Sequence, residues 1–207
     1  MISLKTVRIG SLAEEAEPLA RVVYDVASGD VGGAGGKLMV TRGTGRRVRE
    51  ALVEALEDLP AGGVLYVDTR GVELMDYSFA DEALGILASR VAAGEHGDRR
   101  VVLVEEDREL LENVEASLRQ RGLAMVRVDE PGGAPGIVGE VPDHLVETLH
   151  AIHVAGSITN ADLAAKLGLN HTAMNNRATR LFKLGLIHRR KNTAAPGGRQ
   201  YSYERIV

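Results

Sequence analysis

The sequence contains no cysteine and no long apolar run. Without cysteine the chain cannot form disulfides, thiolate-bound zinc sites, iron–sulfur clusters or a cysteine nucleophile. No apolar run approaches the roughly 20 residues that a membrane helix needs, so we expect no membrane partner. The first ten residues, MISLKTVRIG, have neither the basic start nor the apolar stretch of a signal peptide. These absences predict a cytoplasmic protein.

Charge is distributed unevenly along the 207 residues, whose formal net charge is −4. Residues 142–207 hold nine Lys and Arg against four Asp and Glu, a net charge of +5. Residues 1–141 hold the remaining sixteen Lys and Arg against twenty-five Asp and Glu, a net charge of −9. Such asymmetry indicates a module that binds a polyanion, attached to an acidic module.

Proline and glycine predict where the chain divides. The stretch 129–143, DEPGGAPGIVGEVPD, packs three prolines and four glycines between two periodic segments, which is typical of a linker. The length suits one ordinary domain and one small domain. We therefore predict a first domain over 1–129 with its core at about 37–128, a linker over 130–141 and a second domain over 142–207.

Before the linker, short apolar runs alternate with segments of helical spacing. We predict strands over 64–67, 101–104 and 123–128, and helices over 44–59, 78–93 and around 110–118. One apolar face of the helix at 44–59 carries Val48, Leu52, Ala55, Leu56 and Leu59. Residues 11–27 fit either a helix capped by Ser11 and Glu14 or a strand at 22–26. Strands that alternate with amphipathic helices indicate an α/β domain with a mixed or largely parallel sheet.

After the linker the pattern changes to three helices and a hairpin, which is an α+β pattern. Pro142 opens a helix that runs to about Val154. Thr159 is a suitable N-cap for a helix that ends at Gly168, and Asn170 is a suitable N-cap for a third helix. Two polar strands, near 186–191 and 200–206, then flank the tip 192–199.

The run ITNADLAAKLGLNHTAMNNRATRLFKLGLIHRR, residues 158–190, resembles the winged helix-turn-helix family. The resemblance implies that the helix at 170–184 enters the major groove of double-stranded DNA. When its apolar residues face inward, helical geometry leaves six polar residues outward: His171, Thr172, Asn175, Asn176, Thr179 and Lys183. Asparagine can pair bidentately with adenine, and threonine can contact a thymine methyl group.

Five arginines and lysines complete the predicted DNA-binding set. Arg180, Arg189, Arg190 and Lys191 suit phosphate contacts, which position a protein without specifying sequence. Arg199 lies beside two glycines at the hairpin tip, where the resemblance implies that it reaches the minor groove. Winged helices also dock proteins or form dimers, so protein docking and a homodimer stay open. RNA is disfavoured because no interleaved aromatic residues offer stacking platforms.

The run VLYVDTRGVELMDYSFADEALGIL, residues 64–87, resembles the central strand, turn and helix of STAS domains, the fold of anti-sigma factor antagonists. A STAS-like group of bacterial proteins with an SFAD-type motif is more similar still. The run TRGTGRRVREAL, residues 41–52, also resembles that group. The resemblance implies a domain that receives a signal or a protein partner, of the ATPase or kinase-like class.

The SFAD segment differs from the anti-sigma factor antagonists at the residue whose phosphorylation switches their partner binding. Alignment on Asp76 places Tyr77 at the position of the phosphorylated serine or threonine, with Ser78 one step later. We interpret Ser78 as the N-cap of the following helix, with Asp81 three residues on. A partner or ligand is therefore expected to bind at the turn Asp76, Tyr77, Ser78 and Asp81, without phosphoserine.

No residue pattern indicates catalysis or a bound cofactor. The run GDVGGAGGK lacks the spacing and the Ser/Thr of a phosphate-binding loop. His150 and His153 share a helix face but have no third ligand, so we expect no metal site. The sequence thus predicts a DNA-binding transcriptional regulator that is not an enzyme and has no cofactor. The alternative is a partner-switching adaptor, similar to anti-sigma factor antagonists, whose winged helix docks protein.

Overall fold

The computed structural model describes residues 21–27, 37–192 and 200–207. Its contacts divide the chain into two compact units, Met1–Glu140 and Val141–Val207. The division falls at the C-terminal end of the stretch predicted to be a linker. None of the helices in these described ranges is long and apolar enough to cross a bilayer.

The first unit is an α/β domain built on a five-stranded sheet. Its strands, in spatial order, are β1 (Arg21–Asp25), β3 (Val64–Asp68), β5 (Arg100–Val104), β6 (Ala124–Val128) and β7 (Pro135–Gly139). The first four are parallel, and β7 pairs antiparallel with β6. Two further strands, β2 (Leu38–Met39) and β4 (Leu74–Met75), form a separate parallel pair. The predicted mixed sheet is confirmed.

Helices pack against this sheet through the apolar faces that the sequence predicted. They are α1 (Arg42–Glu57), α2 (Tyr77–Ala80), a π-helical turn (Asp81–Gly85), α3 (Ile86–Ala93) and α4 (Arg108–Gln120). On α1, Val48, Leu52 and Leu56 are buried against the sheet residues Leu65 and Val67 in one core. Burial of such side chains supplies most of the stability of a domain.

The predicted linker 130–141 is wrong over 135–139, which form β7 at one edge of the described sheet. Pro135 is tolerated because it is the first residue of an edge strand, where its missing N–H costs little. Gly139 is required because its φ of +98° suits glycine, and a Cβ there would lie 2.5 Å from the Leu123 carbonyl oxygen. The high proline and glycine content of this stretch therefore led the sequence analysis to miss strand β7.

The interpretation of Ser78 as an N-cap is also wrong, because Asp76 occupies the N-cap position of α2. The Asp76 carboxylate accepts a hydrogen bond from the Phe79 amide at 2.7 Å and another from the Thr41 amide at 3.1 Å. Asp76 has the extended backbone of an N-cap, whereas Ser78 lies within the helical segment. The N-cap therefore lies two residues earlier than predicted, and the helix begins at Tyr77.

This cap gives a direct test. We expect Asp76→Ala to lower the free energy of unfolding by about 1 kcal/mol, as lost N-caps do. Ser78→Ala is the matched control and should change it by less than about 0.5 kcal/mol. Urea unfolding followed by circular dichroism measures both. A larger effect for Ser78→Ala than for Asp76→Ala would contradict the assignment.

The second unit has the three helices and the hairpin of a winged helix. Its elements are α5 (Asp143–Ala155), β8 (Ser157–Thr159), α6 (Asn160–Leu167), α7 (His171–Lys183), β9 (His188–Asn192) and β10 (Gln200–Glu204). β10 pairs antiparallel with both β8 and β9. Leu145, Leu163, Met174 and Leu181 are buried between the helices. The sequence did not predict β8, because three residues are too few for a recognisable alternation.

Candidate nucleic-acid interface

Local caps set the geometry of the two helices α6 and α7. The Thr159 hydroxyl accepts a hydrogen bond from the Asp162 amide at 3.2 Å, and the Asn170 side chain accepts one from the Ala173 amide at 2.8 Å. Between them, Gly168 ends α6 in the left-handed conformation with φ of +63°. These three predicted boundaries are confirmed, so the chain turns sharply from α6 into α7.

The outer face of α7 is polar. His171, Thr172, Asn175, Asn176, Arg180 and Lys183 are exposed, and Thr179 is partly buried. The opposite face buries Met174, Ala178 and Leu181. The His171 ring lies 3.5 Å from the Asn160 amide nitrogen, which places His171 beside the start of α6. The structure therefore gathers the predicted helix residues on one side, and their contact with DNA stays a prediction.

The strand residues of the predicted set have different surroundings. Arg190 is exposed and donates to Glu204 at 2.8 Å, while Lys191 is exposed. Arg189 is partly buried, because its guanidinium lies over two aromatic rings. Arg199 falls outside the described residues. Of the basic strand residues, Lys191 and Arg190 fit a phosphate contact, whereas the contacts of Arg189 point inward.

Residues 144–194 match the model of the MarR family. MarR-family proteins are winged-helix transcription regulators that bind double-stranded DNA, typically as dimers, and they are generally not enzymes. The matched range spans α5 to β9 and thus contains the polar face of α7. No curated protein and no solved structure matches the chain at a significant level. The STAS-like resemblance of the first unit is not confirmed by these comparisons.

Sequence reasoning missed one polar residue of the winged-helix unit, Arg177. Its guanidinium donates to the His144 carbonyl at 3.1 Å and to the Glu147 carboxylate at 3.1 Å. It also reaches the Thr148 hydroxyl at 3.4 Å, so it ties α7 to α5. Its position between Met174 and Leu181, on the inward side of α7, is the signal that could have revealed this role.

The turn predicted to bind a partner in the first unit is largely committed to internal contacts. Asp76 caps α2, and the Tyr77 hydroxyl bonds to the side chain of Gln120 on α4. Asp81 is only 5% exposed, and its carboxylate accepts hydrogen bonds from Arg121 at 2.9 Å and Ser117 at 3.0 Å. The exposed surface at this turn is therefore smaller than the sequence suggested.

The carboxylates of the π-helical turn are held by arginines of neighbouring elements. The Arg121 guanidinium, through its hydrogen bond, holds the pKa of the Asp81 carboxyl below its ordinary value, and Ser117 and Arg42 act in the same direction. The neighbouring Glu82 pairs with Arg49 at 2.5 Å. The two carboxylates of the π-helical turn are thus paired with arginines of α1 and with the C-cap arginine of α4, which joins these helices.

Proposed function

We propose that this chain is a DNA-binding transcriptional regulator. The observation that carries the proposal is the winged-helix unit, in which an exposed polar face of α7 stands beside a three-stranded sheet. The net charge of +5 over residues 142–207 supports binding to a polyanion. The MarR-family match over the same unit is independent support.

In this proposal α7 enters the major groove and supplies both base and phosphate contacts. Asn175 and Asn176 are exposed side by side and would read adenine through their amides, while Thr172 would meet a thymine methyl group. Arg180, Lys183, Arg190 and Lys191 would contact phosphates around that site. His171, the first residue of α7, would contact the flanking backbone, and Thr179 would meet a thymine methyl group as Thr172 does.

We propose that the N-terminal unit regulates this activity by receiving a signal or a protein partner in the cytoplasm. Support comes from the resemblance of residues 64–87 to STAS-like domains, in a segment that runs from β3 through the short strand β4 to α2. A partner of the ATPase or kinase-like class follows from the resemblance alone. Because Asp81 is buried, two other residues are better candidates for a surface contact: Tyr77, which is partly exposed, and Arg42, which is exposed and pairs with Asp81.

The test is binding of the full-length chain to a random-sequence duplex of about 30 base pairs, measured by fluorescence anisotropy over a salt series. We expect affinity to fall steeply with salt, because phosphate contacts release counterions. Absence of binding at low salt would contradict the proposal and would favour the adaptor hypothesis, in which the winged helix docks protein.

Two lysines give a quantitative prediction. We expect Lys183→Ala with Lys191→Ala to weaken binding to all sequences and to reduce the salt slope, in its logarithmic form, by about 2. The matched control is Arg108→Ala with Arg119→Ala on α4 of the other unit, which removes the same charge. An equal loss in both double variants would show that net charge alone, and not these contacts, determines binding.

A further inference from the structure

Arg189 lies between two aromatic rings that belong to different elements. Its guanidinium carbon is 4.3 Å from the ring centroid of Phe182, near the C-terminal end of α7. The same carbon is 4.8 Å from the ring centroid of Tyr201 on β10. A planar guanidinium stacks well on aromatic faces, so one side chain joins the helix to the wing strands.

The strand register shows why Arg189 points inward while its neighbour does not. Arg189 stands opposite Tyr203, and Tyr201 is two residues away from Tyr203 on the same face of β10. Tyr203 is fully buried, so at Arg189 this face of the hairpin is directed at the interior of the unit. Lys191 lies on the same face, opposite Tyr201, but nearer the hairpin tip, where it is exposed. Arg190 lies on the opposite face, because side chains alternate along a strand.

We propose that Arg189 is a positioning residue for DNA binding, which holds the wing strands at a fixed angle to α7 through Phe182 and Tyr201. The inference rests on the proposed function and revises the sequence-based hypothesis that Arg189 contacts phosphate. With the stack intact, the phosphate-binding residues of β9 and the base-reading face of α7 meet the duplex together. Without the stack, the wing strands are no longer held at this angle to α7, and the phosphate contacts of β9 are lost.

The two roles predict opposite results for a substitution that keeps the charge. Lysine can replace arginine at a phosphate contact as a point charge, but it lacks the planar group that stacks between two rings. If Arg189 only contacts phosphate, Arg189→Lys should bind DNA almost as well as the wild type. If Arg189 positions the wing, Arg189→Lys should weaken binding although no charge has been removed.

The experiment measures binding of the full-length chain to the random-sequence 30-base-pair duplex over a salt series. We expect Arg189→Lys to weaken binding about fivefold, within the range of cation–π energies. We also expect its salt slope to fall by about 1 or more, because Arg190 and Lys191 leave the phosphates. If Arg189 contributed only to overall stability, the salt slope of DNA binding would not change as long as the variant is folded at the assay temperature. Thermal melting verifies that it is folded.

Two further variants separate the explanations. Arg205→Lys is the matched control, because it makes the same charge-keeping change at an exposed arginine of the same unit that has no place in the proposed interface. We expect it to change binding less than about twofold. Tyr201→Leu removes one ring and no charge, and we expect it to lower the salt slope of DNA binding as Arg189→Lys does. The double variant Arg189→Lys with Tyr201→Leu should bind DNA no more weakly than the weaker of the two single variants. If Tyr201→Leu does not fold, the comparison of Arg189→Lys with Arg205→Lys decides between the two roles of Arg189.

The outcomes are distinguishable. If the wild-type chain fails to bind the duplex, the proposed function is wrong and this inference falls with it. If the wild type binds and Arg189→Lys keeps both its affinity and its salt slope, DNA binding stands and only the positioning role is overturned.

Discussion

Alanine at Gly85 is expected to lower the free energy of unfolding of the first unit by about 3 kcal/mol, at the upper end for overpacked sites. A Cβ at this position of the π-helical turn would lie 2.2 Å from the Ser117 hydroxyl oxygen and 3.0 Å from the Arg121 Nε. Both atoms are hydrogen bonded to Asp81 and cannot withdraw without breaking that network. The absent side chain at Gly85 therefore lets α4 approach the turn.

The matched control is Gly43→Ala, a second helical glycine with open space around it. The nearest atom to a Cβ at Gly43 is the Thr41 Oγ1 at 3.9 Å. Alanine there should raise the stability by about 0.5–1 kcal/mol, because it restricts the unfolded chain. Urea unfolding followed by circular dichroism compares the two variants. Similar small effects at both positions would contradict the close approach of α4.

Asp81→Asn is the second change with a large expected effect, a loss of about 2–3 kcal/mol at pH 7. Asparagine keeps the shape of the side chain but leaves the Arg121 guanidinium, which is 30% exposed, without its counter-ion. Breaking a buried pair in this way costs about 3–5 kcal/mol, and partial exposure of Arg121 reduces that figure. Arg42, 61% exposed, contributes less to the pair.

The effect should depend on pH in a defined direction. The pKa of Asp81 is lowered in the folded state, so its ionised form stabilises the fold above the unfolded-state pKa of about 4. That contribution is lost as pH falls through the lower, folded-state value. The difference between wild type and Asp81→Asn should thus be largest near neutral pH and shrink below about pH 4.

A surface ion pair provides the control for Asp81→Asn. Glu115 and Arg119 are 2.9 Å apart on the exposed side of α4, one helical turn from each other. Glu115→Gln should cost less than about 0.5 kcal/mol, because solvent screens such pairs. If the cost of Asp81→Asn equals this value, or stays constant from pH 7 to pH 3, the interior network does not stabilise the unit as described.

The sequence alone determined the features that depend on neighbours along the chain. Thr159 and Asn170 cap their helices with their own side chains, and Gly168 takes a backbone conformation that suits glycine. The apolar spacing that includes Val48 and Leu52 likewise predicted which face of α1 is buried. These patterns are local, so they can be interpreted without knowledge of the fold. The polar face of α7 was predicted from the same kind of pattern.

Only the tertiary structure decided which residues meet across the chain. Residues 135–139 have linker composition, yet they form β7 because β6 offers unpaired backbone groups at its edge. Asp76 displaced Ser78 as N-cap because it also satisfies the amide of Thr41, far away in sequence. The inward contacts of Arg177 and Arg189 depend on Glu147 and Tyr201, whose proximity is a product of folding. The sequence does not show whether an arginine or lysine side chain contacts solvent, a phosphate or an aromatic ring. These roles are distinguished only by the residues that surround the side chain in the folded protein.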